Sequence, residues 1–171
     1  DDRKNINITL QVPKLEHIRM HGVSYINLQS PFKLKDISLS SASKLNIETD
    51  IYSKNLQIKL RGYTKLHAAS INSESLDINQ SGMSTINCSS LAAETVTSIA
   101  HNQSTQHFSK ISADSFNSSL TTQSSSDIDN ISAKETDLKM DGVSISNIST
   151  LKTNTLHITL AGSSELDIRK G

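Results

Sequence analysis

The stretch Leu156-His157-Ile158-Thr159-Leu160-Ala161-Gly162-Ser163-Ser164-Glu165-Leu166-Asp167-Ile168 alternates apolar and polar residues on both sides of a glycine. Successive side chains of a strand point to opposite faces, so alternation of this kind marks a strand with one face turned from water. A glycine between two such runs marks a corner, a bulge or a close approach of backbones, because glycine accepts positive φ without steric cost. The segment therefore predicts a strand, a corner and a second strand.

Read backwards from there, the pattern repeats. Leu151–Lys170, Ile131–Thr150, Ile111–Asn130, Leu91–Lys110 and Ile71–Ser90 are consecutive blocks of equal length. Asp50–Ser70, Pro31–Thr49 and Pro13–Ser30 follow with one-residue adjustments, and Asn5–Val12 reads as a capping strand. The chain, residues 1–171, is thus expected to be a single repeat domain of about eight rungs over residues 13–170, each roughly twenty residues long.

Stacking the blocks produces columns. Gly22, Gly62, Gly82, Gly142 and Gly162 share one register, which Ser41, Asn102 and Thr122 fill in the other rungs. Asn102 is a fair substitute at a positive-φ corner, whereas Ser41 and β-branched Thr122 are poor ones. Those two rungs are expected either to turn differently or to keep ordinary φ. Two residues on, a hydroxyl stands in every rung: Ser24, Ser43, Thr64, Ser84, Ser104, Ser124, Ser144 and Ser164. It has the parity of the aliphatic columns Ile26, Leu45, Leu66, Ile86 and Leu166, and Leu28, Ile47, Cys88, Phe108, Ile128, Ile148 and Ile168. The hydroxyls should therefore face inward and find partners along the axis or in corner backbone. A third wall begins at Ile51, Ile71, Leu91, Ile111, Ile131 and Leu151, with Ala93, Ala113 and Ala133 two residues later.

A twenty-residue coil supplies three short strands and their corners. Strands stacked about 4.8 Å apart would make the eight rungs roughly 35–40 Å long, with backbone hydrogen bonds running between rungs. The fold expected is an all-β parallel solenoid. Such a coil buries its interior only against its neighbours, so both ends need cover. The charged close Arg169-Lys170-Gly171 is expected to discourage edge pairing at the far end.

Composition agrees and narrows the function. Aromatic residues are 4% with no Trp, so the core should come from Ile, Leu, Val and small residues. Seventeen Lys plus Arg balance seventeen Asp plus Glu, which leaves no net basic field to favour nucleic acid or an anionic membrane. No stretch is long and apolar enough to insert directly in a membrane as a helix, and any export signal is expected to have been removed. Cys88 stands alone, excluding an intramolecular disulfide and a cysteine-based zinc site; it reads as a buried small residue.

Two rungs depart from an ordinary core. Their inward-parity residues include Ser98, Ala100, Asn102, Ser104 and Gln106, then Ser118, Thr122, Ser124 and Ser126. Hydration or local looseness explains this better than a ligand cavity.

On the outward parity, Asn27, Asn46, His67, Asn87, His107, Asp127, Asn147 and Asp167 form one polar column, best read as a solvated strand face. His67 and His107 are two rungs apart, about 9–10 Å by strand spacing, too far to share a zinc ion. Asp127, Asp129 and Asp137 are close in sequence, and Asp127 and Asp129 share parity, as paired glycosidase acids would require. No Arg cluster or aromatic platform accompanies them, and surface charge is the simpler role. No nucleophile-elbow motif occurs. The outward pair Thr95 and Thr97 is not repeated, against a flat threonine array. No catalytic, cofactor or metal residues are assigned, and the binding residues stay unassigned.

The unit Leu-x-Ile-x-Leu-x-Gly-x-Ser-x-Leu-x-Ile is clearest at Leu156–Ile168 and recognisable at Leu56–Ala68 and Leu76–Cys88. It resembles the auto-transporter adhesin family called the head GIN domain, over nearly the whole chain. Members typically show several L-x-G-S-G turns; here the second glycine is absent, and three corners lack the first. The resemblance implies a right-handed parallel β-helix exported by a bacterium to the periplasm, the outer membrane or the extracellular side. It also implies an adhesive or scaffolding role toward a protein or glycan at the cell surface, without cofactor, with a second copy of the chain as a further candidate partner. The competing reading is a β-helical carbohydrate-active enzyme, a polysaccharide lyase or hydrolase using Asp127 and Asp129.

Overall fold

A computed structural model describes residues 12–171. Nearly all of the expected capping strand Asn5–Val12 lies outside the described residues. The described chain holds ten strands and no helix: β1 (His17–Met20), β2 (Tyr25–Leu28), β3 (Asp36–Leu39), β4 (Lys44–Arg61), β5 (Lys65–Ser81), β6 (Thr85–Ala100), β7 (Thr105–Leu120), β8 (Ser125–Met140), β9 (Ile145–Leu160) and β10 (Glu165–Ile168). All pair in parallel, in the order β1-β3-β4-β5-β6-β7-β8-β9-β10, with β2 joined to β4. This is the parallel β-solenoid that the repeat predicts.

From β5 onward every pairing joins residues twenty apart, as in Phe108↔Ile128 and Ile128↔Ile148. Upstream the offset is nineteen for Ile18↔Ile37 and twenty-one for Lys44↔Lys65. A register shift between Ile47 and Asp50 restores the period, which is where the sequence blocks needed their one-residue adjustments. The long strands are themselves bent. Between β7 and β8 the ladder skips Ser109 and Asp114 against Asp129 and Lys134, leaving three paired segments per coil. At each bend inward parity slips by one, from Ile128 to Ile131 and from Ala133 to Thr136.

The third corner carries the repeat's most demanding geometry. Positive φ occurs at Gly22, Gly62, Gly82, Gly142 and Gly162, and equally at Ser41 (68°), Asn102 (64°) and Thr122 (67°). All eight corners therefore turn alike, which settles the alternative left open at Ser41 and Thr122. The ladder is the cause. The Ser41, Asn102 and Thr122 carbonyls accept from Tyr63, Gln123 and Val143 N–H of the next rung, at 2.7, 3.0 and 2.6 Å. Ordinary φ at one corner would swing its carbonyl off that line and break the stack. The left-handed conformation costs about 1–2 kcal/mol in an L-residue, comparable to a ladder bond plus the orphaned groups its loss would leave. Backbones also approach closely here: a Cβ on Gly142 would stand 2.8 Å from the Thr122 carbonyl oxygen.

This turn also corrects two assignments. Asn102 and Thr122 do not face inward; they are exposed, because positive φ at the corner interrupts the alternation that was counted through it. Two residues on, the hydroxyl column does face inward. Ser43, Thr64, Ser84, Ser104, Ser124 and Ser144 are all buried. Ser43, Ser104, Ser124 and Ser164 donate to the carbonyl three residues back, at 2.9–3.1 Å, locking the turn. Ser124 and Ser144 also reach the rung before, donating to the Ala100 and Leu120 carbonyls.

The core is a main, largely aliphatic cluster running from Ile18 to Leu151, with Ala93, Ala113 and Ala133 packed against it, and a smaller one of Ala100, Leu120 and Met140. It is not purely aliphatic. Phe108 and Phe116 are the largest fully buried side chains, and they lie in the two rungs whose other inward residues include the small Ser98, Ala100, Ser104 and Ser118. Large beside small keeps a coil of fixed cross-section filled.

At the far end the chain closes on Arg169-Lys170-Gly171. Lys170 accepts from Leu151 N–H, and β10 covers the first segment of β9. Leu156, Ile158 and Leu160 remain exposed, and their segment of β9 has no strand beyond it among the described residues.

Candidate functional site

The outward polar column lies on the segment that follows the corner, in register from Asn27↔Asn46 through His67↔Asn87 to Asn147↔Asp167. Parallel stacking puts like side chains above one another, and here they bond along the axis. Asn46 Nδ2 donates to Asn27 Oδ1 at 2.9 Å, and both amides reach Glu48 at 3.0 Å. Farther along, Asn147 Nδ2 donates to Asp127 Oδ1 at 2.7 Å, and His107 Nδ1 stands 3.3 Å from Asp127 Oδ2. These contacts engage both oxygens of Asp127. They describe side-chain ladders on a wetted wall, with the amides and the imidazole already engaged.

The three carboxylates are not assembled into one site. Asp127 belongs to the segment after the corner, exposed Asp129 to the next bend, and Asp137 to the segment approaching the following corner. Asp137 pairs with Lys139 on its own strand at 3.0 Å. No group of His, Cys, Asp and Glu able to hold a metal ion occurs among the described residues. Cys88 is buried, its Sγ donates to the Ser90 carbonyl at 3.2 Å, and burial pushes its thiol up to about 12. A thiol so raised stays protonated and unreactive at neutral pH.

The interior of the polar rungs is closed to solvent at Ser98, Gln106 and Ser126, which are fully enclosed. Gln106 Nε2 donates to Gln80 Oε1 at 2.8 Å, and Gln80 Nε2 reaches the Thr105 carbonyl at 3.2 Å. Ser98 Oγ, Gln106 Oε1 and Ser126 Oγ have no protein partner. Three orphans in neighbouring rungs fit the hydration reading better than an apolar void.

Sequence reading missed the surfaces that stand out. One is a groove of about 730 Å³ formed by Glu16, Lys33, Leu34, Lys35, Tyr52 and Lys54 with their neighbours. Lys35 and Lys14 hold the Glu16 carboxyl at about 2, and Asp50 accepts from the Tyr52 hydroxyl and raises it. The other is the corner ridge one residue past the positive-φ position, where Val23, Tyr63, Met83 and Val143 are exposed in spite of their apolar bulk. The repeat itself was the available signal: this is the one corner column in which large apolar residues fall outside the inward parity.

The family described as "Putative auto-transporter adhesin, head GIN domain" matches residues 1–109, nearly two thirds of the chain. The chain belongs to the head GIN domain family. No curated protein and no solved structure gives a match. In this head GIN domain the matched part contains the first four corners and Asn102, together with both surfaces just described except Val143. The family description is of an adhesin-like head, and it brings no catalytic residues to these positions.

Proposed function

We propose that this head GIN domain is a noncatalytic binding or structural module of a bacterial cell envelope, exported to the periplasm, the outer membrane or the extracellular side. One observation carries the reading: parallel strands stacked from His17 to Ile168, with paired residues twenty apart from β5 onward, hold their outward side chains in columns. A rigid array of this kind pre-pays the ordering that binding to an extended partner would otherwise cost. The family's description as an auto-transporter adhesin head supports export and adhesion. The partner is a protein or a glycan of the cell surface.

Two measurements test this. Fractionation of producing cells should recover the chain outside the cytoplasm, and the labelled full chain should be retained on envelope material. Recovery in the cytoplasm alone, with no retention, sinks the proposal. A panel of acidic polysaccharides should show no turnover; cleavage lost in an Asp127→Asn, Asp129→Asn variant would install the enzyme reading instead.

A further inference from the structure

The balanced total charge conceals a strong asymmetry along the axis. Residues 12–66 carry nine Lys and Arg against four Asp and Glu, whereas residues 67–171 carry six against eleven. Much of the excess gathers at one corner, Lys59-Leu60-Arg61-Gly62-Tyr63-Thr64-Lys65, three cations and an aromatic in seven residues without an acid. Leu60 and Thr64 point inward and are buried; Lys59, Arg61, Tyr63 and Lys65 are exposed.

Neighbouring rungs extend the patch. Lys44 is the ladder partner of Lys65, and Tyr25 that of Lys44, whose ammonium lies 5.4 Å from the Tyr25 ring centre. Along the ridge, Tyr63 is followed by Met83. Tyr25 is 59% and Tyr63 65% exposed, values at which an aromatic ring is a platform and not part of a core. Lys44, Lys59, Arg61 and Lys65 have no salt-bridge partner among the described residues, whereas seven of the other eleven described Lys and Arg have one. Like charges opposite one another on adjacent strands repel. A counter-anion removes that repulsion.

We propose that the basic corner centred on Arg61 and Tyr63 is a docking surface for an acidic polysaccharide. The inference rests on the reading of the chain as a binding module and names the surface and the class of partner. Charge complementarity selects a polyanion: Lys44 and Lys65 stack on one flank of the ridge, Lys59 and Arg61 on the other. The tyrosines select a sugar. A pyranose offers a flat C–H face to an exposed ring and carboxylates to cations at its edge, so one chain satisfies both halves of the patch. A membrane would want a broad apolar wedge, and the ridge is one residue wide.

Binding of the full chain to immobilised polygalacturonate and alginate tests this, with dextran, polyglutamate and phosphatidylglycerol vesicles as comparators. Salt-sensitive binding to the acidic polysaccharides and none to dextran is expected. The triple variant Lys59→Gln, Arg61→Gln, Lys65→Gln should lose about tenfold or more in affinity, a factor that corresponds to a few weak charge-assisted contacts. Tyr63→Ala should lose affinity without changing the salt dependence, and Lys134→Gln on another wall and Lys139→Gln four rungs along the axis from Lys59 should change nothing. These side chains are exposed, so an unchanged thermal midpoint confirms that each variant folds.

Absence of binding to either acidic polysaccharide, or equal binding by the triple variant, overturns the proposal. So does tighter binding to polyglutamate or to the vesicles, which would make the corner a site for acidic protein or for lipid. If the triple variant is still retained on envelope material like the wild type, this surface is wrong while the binding-module reading stands. If the wild type is retained on no envelope material, both fall.

Discussion

One wall of the solenoid shows two kinds of interior on one backbone. At the position four residues before the corner, the early rungs carry Ile58 and Ile78, the middle rungs Ser98 and Ser118, and Leu138 follows. All five are buried and joined in unbroken register. The hydrogen-bonded ladder and the corner turn therefore define the coil, and the chemistry inside changes while the volume stays filled. In the middle rungs Phe108, Phe116 and the Gln80–Gln106 pair supply that volume.

If that reading is right, stability is unevenly distributed. Ile58→Ala should cost about 2–5 kcal/mol, the transfer term plus a cavity that a register-locked coil cannot collapse around. Urea unfolding of the full chain measures it. A cost below about 1 kcal/mol would mean that the aliphatic rungs are no tighter than the polar ones, and the comparison would fail.

The corner hydroxyl is the feature common to both regions. Ser144 sits fully buried, and a leucine there has to displace the neighbouring turn. Ser144→Leu should destabilise by about 1–3 kcal/mol through overpacking and the loss of its bond to the Leu120 carbonyl. Unchanged unfolding would place the side chain in solvent and break the inward column.

What could be read in the sequence was whatever repeats. A period of twenty puts equivalents directly above one another, so the columns through Ile128, Ile148 and Ile168 and through the corner serines followed from spacing alone. What stayed hidden was set by the stack against local preference. Thr122 is a poor candidate for positive φ by itself, yet its carbonyl is held at 2.6 Å from Val143 N, between rungs that turn the same way. Counting parity straight through that turn placed Asn102 and Thr122 inside. The basic corner was hidden differently: a charge total of zero erases an axial asymmetry, and Lys44 meets Lys65 only once the coil is wound.

The strain at Thr122 is measurable. Thr122→Gly keeps the corner's conformation and removes the penalty of a β-branched residue at positive φ. Glycine also gains freedom in the unfolded chain, which offsets part of that benefit. The net effect should be stabilising by up to about 1 kcal/mol. Asn102→Gly should gain less, because asparagine tolerates this region. Loss of stability in Thr122→Gly would show that the threonine makes a compensating contact in its stack.

The smallest effect is the most discriminating. Ser98 occupies the same column as Ile58 and is just as buried, but its hydroxyl has no protein partner. Removing it deletes one oxygen and no satisfied bond, so Ser98→Ala should shift stability by less than about 0.5 kcal/mol, or raise it slightly. An ordered water held by Ser98, Gln106 and Ser126 would reverse the sign, because the alanine would strip a partner from a buried water and leave the other two groups poorer. A loss of about 1 kcal/mol or more, shared by Ser126→Ala but not additive with it in the double variant, would identify a hydrated network as what holds the middle rungs together.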